Sequence, residues 1–322
     1  MNELLYEVRG STGYATLNRP EARNALTFGM YHELARICRD IKLGGDIKAL
    51  IVSGAGDKAF AAGTDMAQFR DFTEPQHALE YESTMDQVLR DIEQCPVPTI
   101  AAITGACTGG GAAIAAACDI RICDPRLKFG FPIARTLGNC LSIGNLNRMS
   151  ALLGSGRVRE IILTARLVEA DEALSSGLVS QVLADPDAVR ARAEELADQM
   201  AGHAPLTMRA TKEVLRRLRT DGPQADASDL IVECYMSADF KEGIEAFLRD
   251  RGEDGHLLEY GAQLLHLTPQ VGWFCGGYHS EDRGARASRA PAVDITIRSL
   301  YSTALQRRAA GARSMGAPAL AA

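Results

Sequence analysis

The stretch that most constrains this chain reads Ile100-Ala-Ala-Ile-Thr-Gly-Ala-Cys-Thr-Gly-Gly-Gly-Ala-Ala-Ile-Ala-Ala-Ala-Cys-Asp119. Its apolar start, 99–103, follows Pro96 and Pro98 and has the length and composition of a buried strand. Three consecutive glycines, Gly109, Gly110 and Gly111, then open a run of small residues that predicts a buried helix over 110–118. A glycine-rich turn entering a helix leaves backbone N–H groups unpaired and pointing outward, aided by the helix dipole. Such a site can hold an anion, or an oxygen that becomes anionic during a reaction. The same glycines are equally explained by a tight turn and close helix packing, and on this stretch alone both readings stand.

The other sequence features restrict the class of protein. The 322 residues are enough for a large core in one or two domains, and 46% apolar with 24% charged residues is ordinary globular composition. A net charge of −6 argues against a nucleic-acid surface. Apolar runs all fall short of the roughly 20 residues that span a bilayer, and the acidic start Met1-Asn-Glu-Leu-Leu-Tyr-Glu7 lacks targeting character. Eight cysteines are scattered without a Cys-x-x-Cys pair or a metal-ligand cluster. The expectation is a soluble cytoplasmic protein with no metal and no membrane association.

Strands are expected at Leu4–Arg9 and 14–18 around a turn at 11–13, at 49–53, at 119–123 and at 177–183. A helix capped by Thr27 runs to about Leu43 with Met30, Leu34, Ile37 and Ile41 on one face. A longer helix over 76–94 carries Leu79, Met85, Leu89 and Ile92 inward, and residues 131–141 read as a loop. Further helices fall at about 142–153, 157–164 and 170–176, and residues 186–251 are almost wholly helical. Strands alternating with helices give an α/β class. The division is an α/β core over 1–185, a helical region over 186–251 and a flexible extension over 252–322. That extension has no lysine and little periodicity beyond a modest helix at 295–308.

Three segments in this order, Asn18-Arg-Pro-Glu-Ala-Arg-Asn-Ala-Leu26, Ala59-Phe-Ala-Ala-Gly-Thr-Asp65 and Ala101-Ala-Ile-Thr-Gly-Ala-Cys-Thr-Gly-Gly-Gly111, carry a specific likeness. Ala117-Cys-Asp-Ile120, Phe129-Gly130, Glu172-Ala-Leu-Ser-Ser-Gly-Leu-Val179 and Ser237-Ala-Asp-Phe-Lys-Glu-Gly-Ile-Glu-Ala-Phe247 extend it. Over about residues 1–250 the chain resembles the crotonase superfamily, the enoyl-CoA hydratases and isomerases. The resemblance implies a spiral of repeated β-β-α units with a C-terminal helical trimerisation region, assembled as a homotrimer or a dimer of trimers. It also implies an acyl-CoA thioester substrate, coenzyme A being part of the substrate and not a separate cofactor. An enolate-like thioester oxygen would be held by two backbone N–H groups, here Thr64 and Gly110. Coenzyme A would lie along Ala22, Arg23, Ala62, Asp65 and Met66, with Phe247 packed on it and Arg249 or Arg251 near its phosphates where family members often have a lysine, here Asp250.

One departure cuts against hydration. The two positions at which hydratases of the family carry glutamates hold Ala113 and Ile133, which can neither activate water nor deliver a proton. Arg135 and Asn139 are the substitute candidates, beside structural readings as a solvated arginine and a turn residue. Cys140 reads as inert, Asp65 as a helix cap, Thr108 and Ser142 as weakly supported hydroxyl donors, and His32, His77 and His203 as surface residues. Three functions remain in view. The first is a hydratase/isomerase-type enzyme with relocated acid and base groups, or a related isomerisation, C–C lyase or thioester hydrolysis. The second is a non-catalytic acyl-CoA-binding protein, and the third RNA binding, which six lysines in an acidic chain disfavour.

Overall fold

The computed structural model describes residues 2–250, so the expected extension, the helix at 295–308 and Arg251 lie outside the described residues. β1 (Leu4–Arg9) and β2 (Thr12–Leu17) form a hairpin in which Arg9 faces Thr12. Its turn is therefore Gly10-Ser11, not 11–13: Gly10 has φ 56°, a left-handed conformation that costs glycine nothing. Thr27 caps α1 (Phe28–Asp40), its hydroxyl accepting from the Met30 amide at 3.3 Å. Then follow β3 (Ala49–Gly54), β4 (Ala59–Ala61), α2 (Pro75–Glu93), β5 (Thr99–Ile103), β6 (Ala106–Thr108), α3 (Gly110–Ala117), β7 (Ile120–Cys123) and β8 (Lys128–Gly130). The chain continues through α4 (Ile133–Thr136), α5 (Ile143–Leu153), α6 (Ser155–Thr164), β9 (Val168–Glu169), α7 (Ala170–Ser175) and β10 (Gln181–Val182). It closes with α8 (Pro186–Ala201), α9 (Pro205–Asp221), α10 (Ser228–Tyr235) and α11 (Ala238–Asp250).

From β3 to β8 successive strands alternate between two sheets. The larger has the order β1-β2-β3-β5-β7-β10 and is parallel except for the first hairpin. The smaller has the order β4-β6-β8-β9, parallel but for β9. Each of β3–β4, β5–β6 and β7–β8 thus gives one strand to each sheet before a helix returns the chain. This is the expected spiral of β-β-α units. β4, β6 and β8 are too short to show as periodic segments, and β6 lies inside what reads as a turn. The region 131–141 likewise contains the short helix α4 in place of an unbroken loop.

Strands β3 and β5 of the larger sheet are buried on both faces, which explains their unbroken apolar runs. Because side chains alternate along a strand, Leu50, Val52, Ala101 and Ile103 enter the main core. Ala49, Ile51, Ile100 and Ala102 meet Val189, Ala193 and Ala197 of α8 on the other face. Along α2 the inward residues are Met85, Val88, Leu89 and Ile92. Leu79, expected inward, is exposed: six residues before Met85, it is turned about 240° away at 3.6 residues per turn.

α3 is fixed at both ends. The buried Arg121 guanidinium donates to the carbonyls of Ala115, Cys118 and Leu178 at 3.2, 2.6 and 2.7 Å, satisfying the carbonyl end of the helix with a cation. At the other end a Cβ on Gly111 would lie 2.5 Å from the Ala61 carbonyl oxygen, so only glycine lets α3 approach β4 this closely. Among the described residues no helix is long and apolar enough to cross a membrane, and no group of three or more His, Cys, Asp or Glu is placed to hold a metal ion.

Candidate active site

Two small-residue turns meet at the mouth of α3. The first leaves β4 through Ala62-Gly63-Thr64-Asp65, with Gly63 at φ 103°. Leu26 brackets it: its amide donates to the Gly63 carbonyl and its carbonyl accepts from the Asp65 amide, both at 2.8 Å. The Thr64 amide between them donates to no group among the described residues. In the second turn Gly109, at φ 53°, donates to the Gly130 carbonyl at 2.9 Å. Gly110 is the first residue of α3, where a helix has no internal acceptor for the amide. The turns touch, since a Cβ on Gly109 would lie 3.3 Å from the Gly63 Cα and one on Gly110 would lie 3.1 Å from Thr64 Oγ1.

Both turns line a cavity of about 290 Å³. Its walls include Ala62, Met66, Thr108, Ala113, Ile133 and Asn139, all named by the sequence reading, and Cys140. The two positions expected to lack glutamate therefore do face this space, and they make it apolar there. Arg135 is exposed on α4 and is not among the lining residues; Asn139 lines the rim, its amide near the Cys140 carbonyl at 3.4 Å. Asp65 is outside the cavity wall. It accepts from the Ala67 amide at 3.0 Å and pairs with Arg19 at 2.9 Å, and those two contacts, the amide first, hold its carboxyl below the usual range. Ser142 caps α5 and donates to Asp86 at 2.7 Å.

Ala22 and Arg23 adjoin the first turn, the Arg23 carbonyl accepting from the Ala62 amide at 3.0 Å, and Arg23 is itself exposed. Phe247 is half-buried on α11 and does not line the cavity. His32 and His203 are exposed and His77 is half-buried.

The structure also brings in residues that sequence reading passes over. Thr64 Oγ1 lies 2.9 Å from the Tyr31 hydroxyl of α1 and 3.2 Å from the Tyr81 hydroxyl of α2. Burial pushes the ionisation of both phenols up, so both stay protonated. Tyr81 also packs among Phe28, Phe69 and Phe72, at 5.5, 4.9 and 6.0 Å between ring centres. Glu82, next on α2, is half-buried and faces the cavity. Its sequence signal is position: 82 lies three residues before Met85 and seven before Leu89, on the apolar stripe of α2, where a carboxylate is out of place.

A β-β-α spiral in which two such glycine-rich turns meet and line an apolar cavity defines a protein of the crotonase class. The chain belongs to the enoyl-CoA hydratase/isomerase family, whose pattern it matches over residues 7–254. It is 32% identical over 258 residues to a short-chain-enoyl-CoA hydratase of Clostridium acetobutylicum, covering 79% of this chain and 98% of that protein. It is 33% identical to the mitochondrial Δ(3,5)-Δ(2,4)-dienoyl-CoA isomerase of Homo sapiens over 70% of this chain and 71% of the other. Among solved structures, an enoyl-CoA hydratase/carnithine racemase from Magnetospirillum magneticum superposes with a TM-score of 0.71 at 34% identity, covering 78% and 94% of the two chains.

Proposed function

We propose that this chain is an acyl-CoA-processing enzyme of the hydratase/isomerase type, in which the Thr64 and Gly110 amides receive the thioester oxygen. The observation that carries this reading is the pair of uncommitted amides on touching turns at one cavity. Negative charge arriving on the oxygen when a neighbouring C–H bond breaks would be met by two fixed donors that need no reorganisation, each worth on the order of 3 kcal/mol in the transition state. The apolar wall at Ala113 and Ile133 suits an acyl chain. Coenzyme A would extend past Ala62 and Met66 toward Ala22 and the exposed Arg23, while Asp65 keeps the first turn in shape through Ala67 and Arg19. The test is calorimetric titration of the full chain with saturated acyl-CoA thioesters, followed by turnover assays on enoyl- and hydroxyacyl-CoA thioesters. Binding with turnover that a Gly110→Pro variant abolishes is expected. Binding without turnover of any thioester would leave only the non-catalytic reading.

The helical region beyond residue 186 is read as the assembly surface of a cytoplasmic homotrimer or dimer of trimers. α10 and α11 expose Ile231, Val232, Tyr235, Ile244 and Leu248, an apolar face of the kind copies of a chain bury against one another. Light scattering is expected to give three or six copies per particle; a monomer at micromolar concentration would dismiss this assembly.

A further inference from the structure

Every other acidic residue on α2 from Glu80 onward has a hydrogen-bond or ion-pair partner. Glu80 accepts from Gln76 at 3.0 Å, Asp86 from Ser142 at 2.7 Å, Asp91 from Gln87 at 2.8 Å and from Arg39, and Glu93 from Arg148 and Arg219 at 2.9 and 2.6 Å. Glu82 alone in this series makes no hydrogen bond or ion pair within the described residues, and it is the carboxylate that lines the cavity. No other Asp or Glu does so among the described residues. A half-buried carboxylate without partners costs stability and contributes none. The position is explained if something that enters the cavity uses it.

We propose that Glu82 is the proton carrier of this site and that the reaction it serves is migration of a double bond along an enoyl thioester. The proposal rests on the acyl-CoA reading above and deepens it by naming the reacting group and the class of reaction. With one carboxylate in the cavity, the same group must both take and return the proton. The Glu82 carboxylate removes a proton from the carbon between the thioester carbonyl and the double bond. The C–H electron pair moves into the carbonyl, and the resulting dienolate oxygen is held by the Thr64 and Gly110 amides. Neutral Glu82 then delivers the proton to the γ carbon, the electrons return from the oxygen, and the double bond now adjoins the carbonyl. The carboxylate is regenerated, no water is consumed and no co-reactant is needed. Addition of water would need a second group to activate it, and Ala113 and Ile133 supply none.

Burial, and then the neighbouring Asp86 carboxylate, raise Glu82 above the ordinary glutamate value of 4.5. The titratable and charged groups around it are Asp86 and Tyr81 on its own helix, Tyr31 on α1 and Cys140 on the cavity rim. Arg148 of α5 stands 3.8 Å from Asp86 and moderates its charge. A group raised in the folded state stabilises most below its unfolded value, and that contribution is lost as pH rises through the folded value. At neutral pH an ionised Glu82 is therefore a net cost, and removing its charge relieves it.

The experiment compares the full chain with Glu82→Gln and Glu82→Asp, using a medium-chain β,γ-enoyl-CoA as substrate and the saturated acyl-CoA of equal length as binding probe. Glu82→Gln is expected to slow migration by about 10²–10⁴-fold, to bind the saturated thioester within about twofold of the parent, and to melt no lower at neutral pH. Glu82→Asp is expected to recover part of the rate, and the parent's rate to fall with acidification through a midpoint above 4.5. Migration by Glu82→Gln near the parental rate overturns the assignment, and hydration as the sole parental product overturns the reaction class. Failure of the parent to bind the saturated thioester removes the acyl-CoA reading itself, an outcome distinct from the other two.

Discussion

Gly110→Ala is expected to lower turnover of an acyl-CoA substrate by at least about a hundredfold, the scale of losing one oxyanion donor. The added Cβ would stand 1.7 Å from the Tyr31 hydroxyl oxygen, 3.0 Å from its Cζ and 3.1 Å from Thr64 Oγ1. Tyr31 cannot withdraw cheaply: its side chain is buried on α1 and its hydroxyl is bonded to Thr64. Relief must come from movement of the first residue of α3, which is the residue assigned as the second donor. Steady-state kinetics beside a binding titration checks this, with the loss falling mainly in kcat. A Tyr31→Phe background removes the 1.7 Å contact but keeps the 3.0 Å one, so the double variant is expected to recover only part of the rate. Retention of parental kcat by Gly110→Ala would falsify the assignment of Gly110 as a donor.

The three glycines also mark where sequence reading stops. Oxyanion turn and close packing stood as alternatives for Gly109-Gly-Gly111, yet the structure gives each residue a separate duty. Gly109 takes a positive φ, Gly110 leaves space for Tyr31 at the first position of α3, and Gly111 lets α3 approach Ala61. The motif was legible because small residues in series can be read locally. Strands β3 and β5 were legible for a related reason, burial on both faces making them continuous apolar runs. The hydroxyl bridge from Tyr31 through Thr64 to Tyr81 was not legible, because it joins α1, the first turn and α2 across 33 and 17 residues. No spacing rule links such positions. Glu82 lies between these cases: its place on the apolar stripe of α2 is visible in the sequence, but only the structure shows that the stripe faces a cavity there and packed core further along. The apolar positions Ala113 and Ile133 and the carboxylate of Glu82 line one cavity. A carboxylate is missing from the cavity wall at α3 and α4 and present there on α2, which is the ground for assigning the proton carrier to α2.

Asn24→Ala is expected to destabilise the fold by on the order of 3 kcal/mol, and the site should suffer with it. Asn24 is fully buried at φ 54°. Its side-chain amide donates to the carbonyls of Ala59 and Ala55 at 2.8 and 3.0 Å, and its oxygen accepts from the Arg19 amide at 3.0 Å. Alanine would abandon three backbone groups, that of Ala59 buried and those of Ala55 and Arg19 partly so, and would keep the left-handed backbone without the local bonding that makes asparagine tolerable there. Asn24→Asp is expected to be no better: it keeps the acceptor for Arg19 but turns a negative charge toward two carbonyls. The link to function runs two residues along the chain. Leu26 grips both sides of Thr64 through Gly63 and Asp65, so loosening the loop at Asn24 frees the turn that aims the first amide. Thermal melting should fall by several degrees, at about 2–4 °C per kcal/mol for a domain of this size. Turnover measured well below the melting point should fall as well, because a mobile donor loses its preorganisation. An Asn24→Ala protein that melts within a degree of the parent would show that the loop is held by other contacts. One that melts lower yet turns over at the parental rate would show that Leu26 alone fixes the turn.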